Sequence, residues 1–402
     1  MSCIQTLTAT LVLMLVTIPI GVSAQDSSPA AATPVASGML EVVAAGLANP
    51  RGVAFADDGS LLVALAGSGG TTASTGEQVP PPVGPFMGGS SAAVVSIADG
   101  CPVLVAGGLP SGRDAVGTVL GAADVAILDG EIYVLVAGGG ASHGNPDQPN
   151  GIYRVDDEGA TTLVADLGEW HRANPVAAPV DGYEPDSNAF SMIAHDGALW
   201  FVESNSAYVG TVTPDGTITR IADLSDDNLV PTAITAALDG GVYISYLTGF
   251  PFLDGISKVS EVAPDGTVTD IWTGLSMVTG LAVAEDGTLY ATEMATGDPA
   301  SQEEPPFQPQ TGRVVMQTSQ DSLEPVVTGL TFPISLDMDP DGLLYASLPA
   351  IGADDGSGMV VSFEPAAAGA IDASTLPMEN PCQPLDTTGG AGTPVAPATP
   401  IG

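Results

Sequence analysis

Six Arg and one Lys stand against 47 acidic residues in this sequence, so the positions of the bases are the first place to look for chemistry. Arg51, Arg113 and Arg172 fall in segments linking repeats, near the starts of apolar runs. Arg154, Lys258 and Arg313 sit inside runs that read as outer strands, and Arg220 on a fourth strand. Guanidinium groups recognise carboxylate and phosphate through paired, charge-assisted hydrogen bonds, so three of them converging at one mouth would make an anion site. Pairing of each Arg with a neighbouring carboxylate is the competing expectation. Arg51 is the strongest single candidate, because it opens the first inner strand and should point toward the axis.

A set of carboxylates and amides shares the same end of the repeats: Asp124, Asp181, Glu184, Asp186, Asn188, Glu203, Asn205 and Glu293. Oxygen ligands of this kind suit Ca²⁺. Asn188, Glu203 and Glu293 are the predicted ring, although the sequence holds no fixed-spacing loop of the EF-hand type. No cofactor is required by the sequence; Ca²⁺ is the one it would accommodate. Of the three His, His143 and His171 lie in long connections where a base could work beside an acid. The competing expectation for both is a solvated loop residue. His195 precedes a tight turn and reads as structural. There is no Gly-x-Ser-x-Gly nucleophile elbow, and Gly138, Gly139 and Gly140 read as turn material because neither a helix nor a Lys follows. Phe86, Trp170 and Phe250 could line a pocket, while Trp200 and Trp272 are predicted core between repeats.

These side chains must be positioned by a repeated unit. Residues 278–294 (VTGLAVAEDGTLYATEM) hold an apolar strand, Asp286-Gly287, and a second alternating strand. Asp-Gly between two such runs is a hairpin signal, since a tight primed turn needs positive φ. The unit recurs at residues 51–67, 122–138, 190–204, 231–247 and 332–348, each centred on Asp-Gly. A second, outer hairpin follows each of the first five, at residues 92–106, 151–166, 208–223, 257–273 and 312–328. The expected fold is therefore all-β: a six-bladed β-propeller of four-stranded antiparallel blades. The last repeat has only three strands, and residues 40–45 (LEVVAA) are predicted to complete it, closing the ring and removing an exposed edge. This topology puts the Asp-Gly turns on one face. The long connections, residues 66–91, 138–150, 167–189, 249–255 and 295–311, lie on the other, where binding is expected.

The net charge of −40 comes from missing cations rather than an excess of acids,. That field disfavours nucleic acid and anionic membrane surfaces, both of which need a cationic face. Residues 7–20 form an apolar run of signal-peptide length followed by Val22-Ser23-Ala24, so residues 1–24 are expected to be removed after Ala24, giving a secreted protein with no membrane insertion. Residues 25–38 and 384–402 are Pro-, Ala- and Thr-rich and are expected to be disordered around a propeller body at 39–383. A monomer is expected. Cys101 and Cys382 remain after Cys3 leaves, and an exported chain favours their pairing.

Residues 46–70 (GLANPRGVAFADDGSLLVALAGSGG), 121–140 (GAADVAILDGEIYVLVAGGG) and 163–205 resemble the ScyD/ScyE family, which is named for proteins encoded with the scytonemin pathway. The resemblance spans almost the whole body. It implies an exported, NHL-like β-propeller and supplies no mechanism. The family's acid, small residue and Asn after the third hairpin is here Glu203-Ser204-Asn205, with Glu in place of Asp. The resulting expectation is a binding module acting through its long-loop face, on a small molecule or a protein. The alternative is a Ca²⁺-assisted hydrolase, lactonase or lyase at the axial mouth.

Overall fold

The computed structural model describes residues 40–388, apart from residues 57, 76–78, 80–82, 180–183, 228, 250–251, 298–307, 366–369, 375 and 377–381. The expected leader, both outermost tails, Asp181 and Phe250 lie outside these. The described chain forms six antiparallel sheets in sequence order, one per repeat. Blade 2 illustrates the pattern with strands Ala122–Leu128, Glu131–Val136, Gly151–Val155 and Thr161–Asp166, innermost to outermost. Blades 3, 4 and 5 begin on inner strands Ala189–His195, Leu229–Ala236 and Val278–Val283. Blade 6 takes its fourth strand, Glu41–Leu47, from the start of the body, paired antiparallel with Gly358–Phe363. The ring closes as the sequence predicts.

Alternating apolar residues on both sides of each sheet dictate where the core sits. It is divided into layers between neighbouring blades. Leu62 and Val94 of blade 1 meet Val125 and Val134 of blade 2, and Ala44 and Val360 of blade 6 meet Val53 and Val63 of blade 1. Trp200 lies between blades 3 and 4, and Trp272 between blades 4 and 5. Burying such side chains contributes about 1.5–3 kcal/mol each, so the ring is held by every blade gripping its neighbours.

The six Asp-Gly turns are of two kinds, where the sequence led us to expect one. In blades 2 and 3 both central residues have positive φ (Asp129 53°, Gly130 80°; Asp196 49°, Gly197 72°), a two-residue primed turn. In blades 1, 4, 5 and 6 only the Gly does, and five residues separate the paired strands. In blade 5, for example, Gly287 N–H donates to Ala284 O and Asp286 Oδ1 accepts from Thr288 N–H. Extra residues before the Asp allow a type I turn, which relieves the Asp of the left-handed conformation.

Blade 1 departs furthest from expectation. Its outer hairpin runs over Met87–Ala98 and Cys101–Arg113, longer than residues 92–106, so part of the first long connection is strand. This arm lies against the loop at 141–145 of blade 2: Thr75 N–H donates to Ala141 O, and Phe86 meets the His143 ring edge-on at 4.7 Å. Gly88 is needed there, because a Cβ would lie 2.4 Å from the Gly144 carbonyl carbon.

After blade 6 the chain returns outward. Ile371–Asp372 adds a parallel fifth strand to blade 5. Cys382 then bonds to Cys101 of blade 1, with Cα atoms 5.5 Å apart. Contacts continue past the expected boundary at Gln383: Leu385 packs between blades 6 and 1, and Thr387 Oγ1 donates to Ser91 O at 2.8 Å. The C-terminal segment thus straps three blades together across the ring's seam.

Candidate functional site

The inner strands leave a cavity of about 310 Å³ on the axis, lined by residues of all six blades. Its walls come from the starts of inner strands and the ends of the strands paired with them, so it sits at the long-loop end. Apolar side chains dominate: Phe190, Met192, Phe252, Met277, Met294, Ile334 and Leu336. Several of these pack into one cluster at its rim. Three bulky residues of this cluster hold left-handed backbone, Phe252 (φ 58°), Met277 (φ 43°) and Phe332 (φ 46°). Such conformations cost a bulky L-residue of the order of 1–2 kcal/mol each and persist only where packing over-determines them.

Two acids lie on the cavity wall, Asp124 of blade 2 and Asp337 of blade 6. Asp124 is buried; its Oδ2 accepts from Ser191 Oγ at 2.9 Å and Met192 N–H at 2.8 Å, and its Oδ1 from Val125 N–H. Gly52 makes room for it, because a Cβ there would fall 1.7 Å from Asp124 Oδ1. Burial pushes the Asp124 carboxyl up to about 7 against these hydrogen bonds. Burial does the same to Asp337, up to about 7, with the neighbouring Asp124 and Asp339 adding to the shift. Both acids of the cavity therefore keep their protons to a higher pH than an exposed carboxyl would.

Arg51 also lines the cavity. It is 8% exposed; Nη1 donates to Ala350 O at 2.8 Å and Nη2 to Val119 O at 2.7 Å. Burial lowers its pKa to about 10, which leaves it charged. Of the three Arg expected to converge, Arg51 lines the cavity, and Arg113 neighbours it through Val119, whose carbonyl Arg51 holds and whose strand pairs with Arg113. Arg113 ends the long hairpin of blade 1 and pairs with Asp354 at 2.6 Å; Arg172, on the helix Leu167–Ala173, pairs with Asp186 at 2.8 Å. Each is taken up by a carboxylate on an adjoining loop, which 47 acids against seven bases readily supply.

The proposed Ca²⁺ ring is not assembled either. Asn188 lines the cavity, but Glu203 and Glu293 are fully buried at equivalent places in blades 3 and 5, and their oxygens are already taken by protein donors. Glu203 accepts from Asn188 N–H at 2.7 Å and Ser206 N–H at 2.6 Å; Glu293 accepts from Ser276 N–H at 2.6 Å and from Arg313 Nε. Among the described residues no group of three or more His, Cys, Asp or Glu is placed to hold a metal ion. These Glu latch the entry of each inner strand instead. Ser204 extends the latch across blades, donating to Pro231 O at 2.6 Å. The Glu203-Ser204 pair of the family-like tripeptide is therefore structural.

Neither candidate His is a solvated loop residue. His143 is buried, with Nδ1 2.6 Å from Gly139 O and Nε2 3.4 Å from Glu184 Oε2. Burial opposes its charge, but Glu184 and the Gly139 carbonyl outweigh burial and raise its pKa. His171 is buried on the short helix, its Nε2 3.1 Å from Ser206 Oγ; burial, then the nearby Arg220 and Arg172, lower its pKa to about 4. Trp170 lies on the same helix and faces the Arg220 guanidinium at 5.2 Å.

The sequence reading missed Asp337 and the Met and Phe residues of the rim. Asp337 had a visible signal, a charge inside the apolar inner strand of residues 334–338. Phe252 had none, since only the folded loop brings it over the axis.

No protein-family model and no curated protein matches the chain. Among solved structures it is similar to a protein of unknown function from Bacteroides thetaiotaomicron (12% identity, 81% of this chain and 75% of that one, TM-score 0.48). It is also similar to a gluconolactonase from Xanthomonas campestris (13%, 81% and 89%, 0.49) and to a streptogramin B lyase (14%, 81% and 97%, 0.44). At such identities the likeness assigns no residue and no activity to this chain, whose six-bladed propeller stands on its own strand pairing.

Proposed function

We propose that this chain is an exported ScyD/ScyE-like propeller that binds an apolar small molecule in its axial cavity. The observation that carries this is the cavity itself: about 310 Å³, lined by all six blades and walled by Met, Phe, Ile and Leu. Ligand sites of roughly this size and character are where proteins bury drug-sized molecules. Export rests on the N-terminal pattern and the family on the quoted segments. N-terminal sequencing of the protein recovered outside the cell tests export, with Gln25 as the expected first residue.

Binding is tested on the mature protein by isothermal titration with decan-1-ol. Asn188→Trp is the blocking variant, because Asn188 lines the cavity and a bulky ring at that position fills the space a ligand would take. Heat of binding that disappears in a normally folded Asn188→Trp protein supports the reading. Equal binding by both proteins moves the ligand elsewhere.

A further inference from the structure

Arg51 stands apart from every other base of the chain. Arg113, Arg154, Arg172, Arg220, Lys258 and Arg313 each lie within 4.0 Å of a carboxylate oxygen. Arg51 is the seventh, and among the described residues it has no such partner. This is opposite to what composition favours, since 47 acids surround seven bases. It is also opposite to what burial favours, because Arg51 is 8% exposed whereas Arg113, paired with Asp354, has a side chain 48% exposed. A guanidinium has five N–H donors, and two of these are engaged, both by backbone carbonyls,. Those bonds fix its position and leave its charge with no carboxylate in contact among the described residues. An uncompensated charge out of water is costly, and proteins retain one where something else supplies the counter-charge.

Resting on the cavity-binding reading, we propose that the ligand is a monocarboxylate with an apolar body, its carboxylate paired with Arg51 and its body filling the axial cavity. Two features set the class. The walls offer the body apolar surface and little hydrogen bonding. The single guanidinium compensates one negative charge, so a phosphate monoester or dicarboxylate would bring a second charge into a cavity that already holds Asp124 and Asp337,. The carboxylate forms a charge-assisted pair with Arg51, whose backbone bonds hold the fork in place before the ligand arrives.

The test is titration of the mature protein with decanoate, decan-1-ol and decylammonium, which share one chain and differ in head-group charge. Decanoate should bind about tenfold to a hundredfold more tightly than decan-1-ol, the range expected for a charge-assisted hydrogen bond, and decylammonium most weakly. Arg51→Gln should remove decanoate's advantage while decan-1-ol binding persists, and Arg51→Lys should restore part of it. Equal affinity for decanoate and decan-1-ol in the unaltered protein overturns the anion proposal and leaves the cavity reading standing. No binding by any of the three overturns both. The ligand series is measured on the unaltered protein, so it decides the matter even if Arg51→Gln fails to fold.

Discussion

At the scale of residues, burial without a full set of partners decides the chemistry of this propeller. Asp124, Asp337 and Glu203 all have carboxyls raised to about 7 by burial. The folded protein therefore holds protons that the unfolded chain has released, and stability falls as pH rises from about 4 through about 7. His143, raised by Glu184, contributes in the same direction, its stabilisation being lost as pH rises through its folded pKa. His171, lowered to about 4, works the other way between about 4 and 6.5 and then ceases to matter,. The clean window is pH 6.5 to 8, where stability should drop by about 1–3 kcal/mol, because each tenfold change in a group's proton affinity is worth roughly 1.4 kcal/mol and several groups share the window. Urea unfolding across that window measures it. Asp337→Asn should flatten the slope at little other cost, since its carboxylate accepts one hydrogen bond, from Met338 N–H. A slope that rises with pH would refute the assignment of these acids. Arg51 was legible in the sequence through the scarcity of bases. The fate of Glu203 and Glu293 was not: a carboxylate that latches a backbone and one that holds a metal have the same letter and the same position in the repeat.

At the scale of elements, the Asp-Gly repeat told the architecture but not its turns, because whether Asp adopts positive φ depends on how many residues the two strands leave between them. This separates glycines that the sequence makes look alike. Gly240 has φ 96° and open space where a Cβ would stand, so Gly240→Ala meets only backbone strain, about 1 kcal/mol,. Gly52 has ordinary φ, yet its Cβ would collide with Asp124, so Gly52→Ala should cost several times more and disturb the cavity wall,. Thermal unfolding of the two variants checks the order; Gly52→Ala as mild as Gly240→Ala would mean that Asp124 is not held where described. The strap was half legible. Two Cys left after an expected leader suggested a bond, but the parallel strand at Ile371–Asp372 and the Thr387 contacts have no pattern in a Pro-rich tail. The disulfide closes a loop of 281 residues, so Cys382→Ser should lower stability by about 2–5 kcal/mol while the Glu41–Leu47 pairing keeps the ring shut,. Guanidinium unfolding with near-ultraviolet dichroism distinguishes a weakened ring from an opened one.

At the scale of the whole molecule, the anion-binding cavity we propose lies inside a chain of net charge −40. The two act over different distances. The molecule's field reaches outward and opposes an approaching carboxylate, and salt screens it, with a Debye length of about 10 Å at 0.1 M. The Arg51 contact acts at hydrogen-bond range inside an apolar cavity, where salt has little access. The association rate of decanoate should therefore rise with ionic strength, by roughly tenfold between about 0.01 M and 0.3 M, while its dissociation rate changes little. Decan-1-ol, lacking charge, should show neither trend, which separates field screening from salting-out of the alkyl chain. Stopped-flow tryptophan fluorescence follows both. A decanoate association rate that falls with added salt would mean that the ligand is steered by a local cationic surface. The paired states of Arg113 and Arg172 give no such surface at the long-loop end. That outcome would place the anion site elsewhere than on the axis.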